Sequence, residues 1–160
     1  MTAMTDHRPA GIADTDVYIT RSFDAPRALV WRFWTEPELL AKWFGPDEVH
    51  VPVDKVSVDM RPGGHWNVTM VDDATGAEYP VTATILECVA PEYFIGETSA
   101  QTAEGRLENV RLHVQFHDHG DKTRVTLHQG PFTAEFRDMT TDGWLASFIT
   151  MDAALAEELA

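Results

Sequence analysis

The chain has 160 residues, of which 44% are hydrophobic, so it is long and apolar enough to form one domain with a full core. Its 26 acidic residues against 12 basic ones give a formal net charge of −14, which argues against nucleic acid and anionic membrane surfaces as partners, because both require a basic footprint. The single cysteine, Cys88, excludes an internal disulfide and a cysteine metal cluster.

Residues 1–15 are polar and are expected to form a disordered lead-in to a single domain over residues 16–160. This segment lacks the apolar core of a signal peptide. No run of about 18 apolar residues occurs in the sequence, so no membrane span is expected. Together with the single thiol, these features predict a cytoplasmic protein.

The first predicted elements are a strand at Val17–Phe23 and a short helix over Arg27–Trp34, whose apolar residues recur at helical spacing. Asp24 and Pro26 are expected to supply a capping acid and an early-helix proline. The elements predicted next are, in order, a second short helix from Thr35 to Phe44 that Gly45-Pro46 ends, strands at about Val49–Met60, Gly64–Val71, Tyr79–Val89, Tyr93–Glu97, Leu107–Phe116 and Arg124–Gln129, and a last helix from about Asp142 to Leu159.

A hairpin is the most informative of these features. Pro62-Gly63-Gly64 separates two segments of alternating apolar and polar residues, which is turn chemistry between strands. No helix follows the two glycines, so they do not form a nucleotide-binding loop. The hairpin places Trp66 and Met70 on an apolar face that is either plain core or the wall of a cavity.

The order of elements predicts an α+β fold. About six or seven strands are expected to form a curved antiparallel sheet, with the long C-terminal helix packed across its concave face. A polar, mobile loop is expected at Ser99–Arg106. The apolar residues of the last helix are predicted to form one stripe, namely Trp144, Leu145, Phe148, Ile149, Met151 and Leu155.

Several segments carry a family resemblance through their order and spacing. They are Phe23–Pro26, Val30-Trp31, Trp34-Thr35, Pro37–Pro46, Asp59–Trp66, Glu78–Val81, Glu87, Pro91-Glu92 and Asp142–Trp144. Together they resemble the Hsp-90 ATPase activator homologue family of the START-like (SRPBCC), or helix-grip, superfamily, over about Val17 to Leu159. The resemblance implies the helix-grip fold with a hollow between helix and sheet. Family members and related branches include ligand-binding proteins, aromatic cyclases, self-resistance proteins that sequester reactive compounds, and co-chaperone domains.

Three histidines could form a metal site, but the strand pattern favours their facing solvent instead. His113 and His117 share one face of a predicted strand, and His128 lies on the next strand, so three imidazoles could converge. The opposite face of the same strand is apolar, from Val110 to Phe116, which places the histidines towards solvent. No metal and no cofactor are therefore expected.

Catalytic signatures are absent from the sequence. Cys88 lies at the end of an apolar strand, where an inert thiol is expected, and Ser147 has no nucleophile elbow around it. Acid–base chemistry by Glu87, Asp59 or Tyr79 would require one of them to point into a cavity. The direction of Glu87 stays open, because both faces around it are apolar and a bulge is expected there.

Aromatic and methionine side chains provide the remaining signal. Those of the short helices are expected to hold these helices against the sheet edge. Those of the strands and the last helix are either core or candidates for the wall of a ligand cavity. The candidates are Trp66, Met70, Tyr79, Phe94, Phe116, Trp144 and Phe148.

These observations predict a domain that binds a small, mainly apolar ligand, aromatic or lipid-like, oriented by polar groups such as Tyr79, Asn67 and Gln129. One alternative is a domain that stimulates a chaperone ATPase, although eukaryotic co-chaperones of this kind carry an additional N-terminal domain. The other is a cyclase or hydrolase for a hydrophobic substrate. A homodimer is compatible with all three hypotheses.

Overall fold

In the computed structural model, which describes residues 11–102 and 105–160, one antiparallel sheet curves around a long helix. The strands are β1 Val17–Phe23, β2 Val49–His50, β3 Val56–Asp59, β4 His65–Asp72, β5 Glu78–Val89, β6 Tyr93–Thr102, β7 Gly105–His119 and β8 Lys122–Gly130. The helices are α1 Arg27–Thr35, α2 Pro37–Leu40 and α3 Ala134–Leu159, and a 3₁₀ turn covers Val53–Lys55.

Successive hairpins explain the strand order β1-β8-β7-β6-β5-β4-β2, in which β3 also pairs with β4. The last strand, β8, pairs with the first, β1, which leaves β1 and β2 at opposite edges of the sheet. The two short helices, which lie between β1 and β2 in the chain, therefore connect one edge to the other. Helix α3 buries Trp144, Phe148, Met151 and Leu155 against the concave face. The predicted helix-grip fold is confirmed.

The helix α1 inserts aromatic side chains into the core beneath α3. Trp34 is fully buried, and its ring stacks on Trp144 at 5.6 Å and on Trp66 at 6.3 Å between centroids. Its backbone carbonyl accepts a hydrogen bond of 2.8 Å from Trp66 Nε1. The aromatic side chains of the short helices therefore occupy the centre of the core and not merely the edge of the sheet.

The strands differ from the predicted ones in two places. The strand expected over Val49–Met60 is interrupted after His50, because Pro52 cannot donate a ladder hydrogen bond and a 3₁₀ turn follows it. The prediction of a polar loop at Ser99–Arg106 is wrong, since β6 runs to Thr102, β7 begins at Gly105, and Gln101 pairs with Arg106. The sheet is thus longer than the polarity of this segment indicated, while residues 103–104 lie outside the described part.

The ends and caps of the helices also differ from those predicted. Helix α3 begins at Ala134 rather than near Asp142, and the Thr133 hydroxyl caps it by accepting from Phe136 N at 3.2 Å. The predicted single stripe divides, because Leu145 and Ile149 are 40% and 66% exposed on the outer side. Asp24 does not cap α1.

Asp24 and Pro26, which precede α1, have different roles from those predicted. The Asp24 carboxylate accepts from Lys122 Nζ at 3.2 Å, and Pro26 itself occupies the N-cap position of α1. Residues 1–10 of the predicted lead-in lie outside the described part. Within the described part, no helix is long and apolar enough to cross a membrane.

The hairpin between β3 and β4 is anchored to the neighbouring strand β5. The Gly63 backbone N–H donates to the Ile85 carbonyl at 2.8 Å, and the Ile85 N–H donates to the Gly64 carbonyl at 2.9 Å. Gly63 has a φ of +83°, whereas a Cβ on Gly64 would overlap the Asp59 backbone carbonyl. The two adjacent glycines are required for different reasons, dihedral freedom and space.

Substitution of these glycines should separate the two effects. Gly64→Ala is expected to lower the free energy of unfolding by more than about 2 kcal/mol, because a backbone atom must move. The matched control Gly63→Ala has open space around its Cβ and should lose only about 1 kcal/mol from the strained φ. Urea unfolding of both variants measures the difference, and equal losses would contradict this account.

Candidate ligand-binding cavity

A cavity of about 510 Å³ lies between α3 and the concave face, at the end of the sheet where β4 to β7 extend past the aromatic core. Most of its wall is apolar, and it opens to solvent. The residues that line it are Phe44, Gly45, Pro46, Glu48, Val49, Met70, Asp72, Tyr79, Val81, Thr98, Ala100, Gln101, Thr102, Leu107, Val110, Gln129, Met139, Thr140, Gly143, Trp144 and Ser147.

Strand alternation positions the sheet side of this wall. Every second residue of a strand points to the same face, so the concave face continues from the core into the cavity. Met70 lies opposite Tyr79 in the β4–β5 pair, and both side chains are half-buried. On β6, the Thr98 hydroxyl donates to the Val110 carbonyl at 2.7 Å, which satisfies a polar group within the apolar wall.

Helix α3 provides the opposite wall through Thr140, Gly143, Trp144 and Ser147, which recur at the spacing of one helical face. A Cβ on Gly143 would meet no atom within 4 Å, so the helix leaves open space at this point. Ser147 Oγ accepts from Gly45 N at 3.0 Å and donates to the Gly143 carbonyl at 2.9 Å. These bonds fasten α3 to the segment after α2 at the edge of the cavity.

A buried pair joins helix to sheet within the wall. Trp144 Nε1 donates to Gln129 Oε1 at 2.9 Å, and Gln129 is only 9% exposed. Because an indole nitrogen can only donate, the bond also fixes the orientation of the Gln129 amide, with its NH₂ group directed away from Trp144. This NH₂ makes no hydrogen bond within the described part of the chain.

Two carboxylates lie at the rim of the cavity, those of Glu48 and Asp72. Hydrogen bonds from the backbone N–H groups of Thr75 and Ala74 hold the pKa of Asp72 below its usual value, so this carboxylate is ionised at neutral pH. The described lining residues include no lysine, arginine or histidine. The site is therefore apolar inside and negatively charged at its mouth.

Three of the seven candidates lie on the cavity wall, namely Met70, Tyr79 and Trp144. The other four lie in the packed core: Trp66, Phe94, Phe116 and Phe148. Trp34 explains this division, because its ring packs against all four, at centroid distances from 5.8 to 6.3 Å. That half of the concave face is filled, and only the other half is hollow.

Among the polar residues expected to orient a ligand, Tyr79 and Gln129 lie on the wall. Asn67 lies on the opposite face of β4, where its Oδ1 accepts from Ala83 N at 3.3 Å. Phe44, Gly143 and Ser147 were not identified from the sequence as wall residues. The helical spacing to Trp144 could have indicated Gly143 and Ser147, whereas Phe44 depends on how the segment after α2 folds back.

The histidines lie on the convex side, as the alternation predicts. His113 pairs with His128 across the ladder, and His128 Nε2 lies 2.8 Å from Asp16 Oδ2. Burial, and then the neighbouring His128, lower the pKa of His113. No three histidine, cysteine or acidic side chains of the described chain converge as a metal site would require.

Three further candidates for chemistry, Glu87, Asp59 and Cys88, do not line the cavity. The predicted bulge occurs between Ile85 and Glu87, and it directs Glu87 outward, where its carboxylate accepts from the Tyr93 hydroxyl at 3.0 Å. Asp59 accepts from Arg61 Nε at 2.7 Å on the hairpin. Burial raises the pKa of the Cys88 thiol, which disfavours the reactive thiolate.

The Trp144–Gln129 bond predicts a specific stability effect. Gln129→Met should lower the free energy of unfolding by about 1–3 kcal/mol, because it leaves a buried indole N–H without an acceptor. Gln115→Met on the convex side of β7 is the matched control and should change stability by less than about 0.5 kcal/mol. Urea denaturation tests both variants, and a second Gln129→Met measurement in a Trp144→Phe background should show a smaller loss. Additive losses would argue against the bond.

A family model described as activator of Hsp90 ATPase homolog 1-like protein matches residues 24–156. No significant match occurs among curated proteins.

Solved structures share the fold of this chain. An AHSA1 protein from Silicibacter pomeroyi is 22% identical, with a TM-score of 0.77 over 89% of this chain and 99% of that one. A protein from Nitrosomonas europaea is 26% identical, with a TM-score of 0.73 over 91% and 97%. DynU16, a protein in the dynemicin biosynthetic locus, is 18% identical, with a TM-score of 0.67 over 90% of this chain and 48% of its own.

Proposed function

The chain belongs to the activator of Hsp90 ATPase homolog 1-like family of the START-like superfamily, and from this premise we propose that its cavity binds a small, mainly apolar ligand of aromatic or lipid-like character. The observation that carries the proposal is the cavity of about 510 Å³ between α3 and the sheet. Ligand sites in proteins commonly enclose about 300–1,000 Å³, with apolar walls and a few polar groups.

The physical basis of affinity would be the burial of apolar ligand surface against Met70, Trp144 and their neighbours. Such burial contributes roughly 25 cal/mol per Å², from which the loss of translational freedom and side-chain ordering must be subtracted. Methionine and aromatic walls adapt to different ligand shapes. The Tyr79 hydroxyl, which has no hydrogen-bond partner among the described residues, and the Gln129 amide would orient the ligand.

Gly143 offers a direct test, because its α carbon faces the open space of the cavity. Gly143→Leu should fill part of this space and reduce the affinity of any cavity ligand at least about tenfold, since an equivalent apolar volume is displaced. The replacement should not unfold α3, because leucine is a better helix former than glycine by roughly 0.5–1 kcal/mol. Gly143→Ala is the matched control and should keep ligand affinity within about twofold.

The measurement is a thermal-shift and native mass spectrometry screen of aromatic and acyl compounds against the wild-type chain and the two variants. Binding to the wild type and to Gly143→Ala, with loss in Gly143→Leu, supports the proposal. The absence of any binder in a broad screen, or equal binding to all three chains, would show that the cavity is not the ligand site.

A second candidate function is an interaction that stimulates a chaperone ATPase. The family description suggests it, and the exposed Leu145 and Ile149 lie one helical turn apart on the outer side of α3, where a partner could contact them. Micromolar protein should then raise the ATPase rate of a bacterial chaperone, and Ile149→Ser should reduce this effect. An unchanged rate would rule out the stimulation.

A cyclase or hydrolase activity has no comparable support. The titratable side chains on the described wall are Glu48, Asp72 and Tyr79. The Asp72 carboxylate is engaged by the turn that follows β4, and among the described lining residues no base is paired with an acid. The cavity as described favours binding over acid–base chemistry.

A further inference from the structure

We infer that the ligand of this cavity carries a hydrogen-bond acceptor on its buried apolar part and a basic, positively charged group at its outer end. This inference rests on the proposed function, and it specifies the chemical class of the ligand. It excludes free fatty acids and other carboxylates as preferred occupants. Two independent observations carry it, one deep in the wall and one at the rim.

The first observation is the Gln129 amide. More than nine-tenths of this residue is buried, and its carbonyl oxygen is occupied by Trp144 Nε1 at 2.9 Å. The NH₂ group has no hydrogen-bond partner within the described part of the chain, although Gln129 lines the cavity. The NH₂ group is therefore accessible from the cavity, and an apolar ligand would strip it of water without replacing the hydrogen bond. A ligand that brings a carbonyl, ether or hydroxyl oxygen to this point would avoid that cost.

The second observation is the charge of the rim. Val49 lies opposite Asp72 in the β2–β4 pair, and both Asp72 and Glu48, the residue before Val49, line the cavity. The Glu48 carboxylate forms no hydrogen bond or ion pair with the described residues. Two carboxylates on one rim favour a cation and repel an anion.

Basic side chains near this rim are already engaged. His50 Nδ1 lies 2.6 Å from Asp73 Oδ1, and Lys55 Nζ lies 3.4 Å from Glu78 Oε2. Neither residue lines the cavity. The rim thus has no described counter-ion of its own, and a ligand amine at the outer end would supply it.

Four naphthalene probes separate the two features. Three are acetylnaphthalenes that differ only in the group on the far ring, which is an aminomethyl, a hydroxymethyl or a carboxylate group. The fourth is the aminomethyl compound with an ethyl group in place of the acetyl group, so it lacks the acceptor. Isothermal titration calorimetry of each probe with the full chain gives the affinities.

The aminomethyl probe is expected to bind about fivefold to tenfold more tightly than the carboxylate probe at low ionic strength, with the hydroxymethyl probe between them. The preference should nearly disappear at about 1 M salt, where charges are screened within about 3 Å. The acetyl probe should bind about fivefold more tightly than its ethyl counterpart, and Gln129→Met should remove this difference.

Adjacent acidic residues provide a matched pair of variants. Glu48→Gln removes a charge from the cavity rim and should reduce the preference for the amine by about threefold. Asp47→Asn removes the same charge from the neighbouring exposed residue, which does not line the cavity, and should change the preference much less. Both side chains lack hydrogen bonds within the described structure, so neither change should disturb the fold.

Several results would overturn the inference while the proposed function remains. They are equal or tighter binding of the carboxylate probe, equal effects of Glu48→Gln and Asp47→Asn, equal affinity of the acetyl and ethyl probes, and failure of all four probes while other apolar compounds bind. Failure of every compound in the broad screen would instead remove the proposed function, and the inference with it.

Discussion

The packing of Trp34 is the interaction on which the rest of the structure depends. Its ring contacts Trp43 in the segment after α2 and side chains from β4, β6, β7 and α3, and its carbonyl accepts from Trp66 Nε1. Its own Nε1 is the one buried side-chain nitrogen or oxygen without a hydrogen-bond partner among the described residues. Such a group costs about 1–3 kcal/mol, so the burial of the surrounding aromatic surface must outweigh this cost.

The same packing decides where the cavity lies. Trp34 and its neighbours fill the half of the concave face that carries Phe94 and Phe116. Phe44 and Trp144, whose ring centroids are 5.7 Å apart, form the boundary between this core and the open half. Beyond that boundary, the long strands β6 and β7 continue past the aromatic core, and Gly143 places no side chain opposite them. The hollow results from an extended sheet facing a helix that has a gap in its inner surface.

The hydrogen bond between Trp144 and Gln129 contributes both to the fold and to the proposed ligand site. It helps to join α3 to β8, and it leaves the amide NH₂ group available to the cavity. The position of the Asp72 carboxylate at the rim follows from a different constraint, the turn after β4, whose backbone N–H groups donate to it. Residues that stabilise the fold thus also set the polarity of the proposed ligand site, with donor inside and negative charge outside.

The sequence by itself determined the elements that depend on local chemistry. Alternation predicted β4 and β5, the Pro62–Gly64 turn predicted the hairpin, and the apolar run around Ile85 predicted the bulge. Only the tertiary structure decided which aromatic residues are core and which are wall. Trp66 and Met70 have the same parity on one strand, yet Trp34, distant in sequence, covers the first and leaves the second open. Strand periodicity specifies the face on which a side chain lies, whereas occupancy of that face depends on residues that only the folded chain brings together.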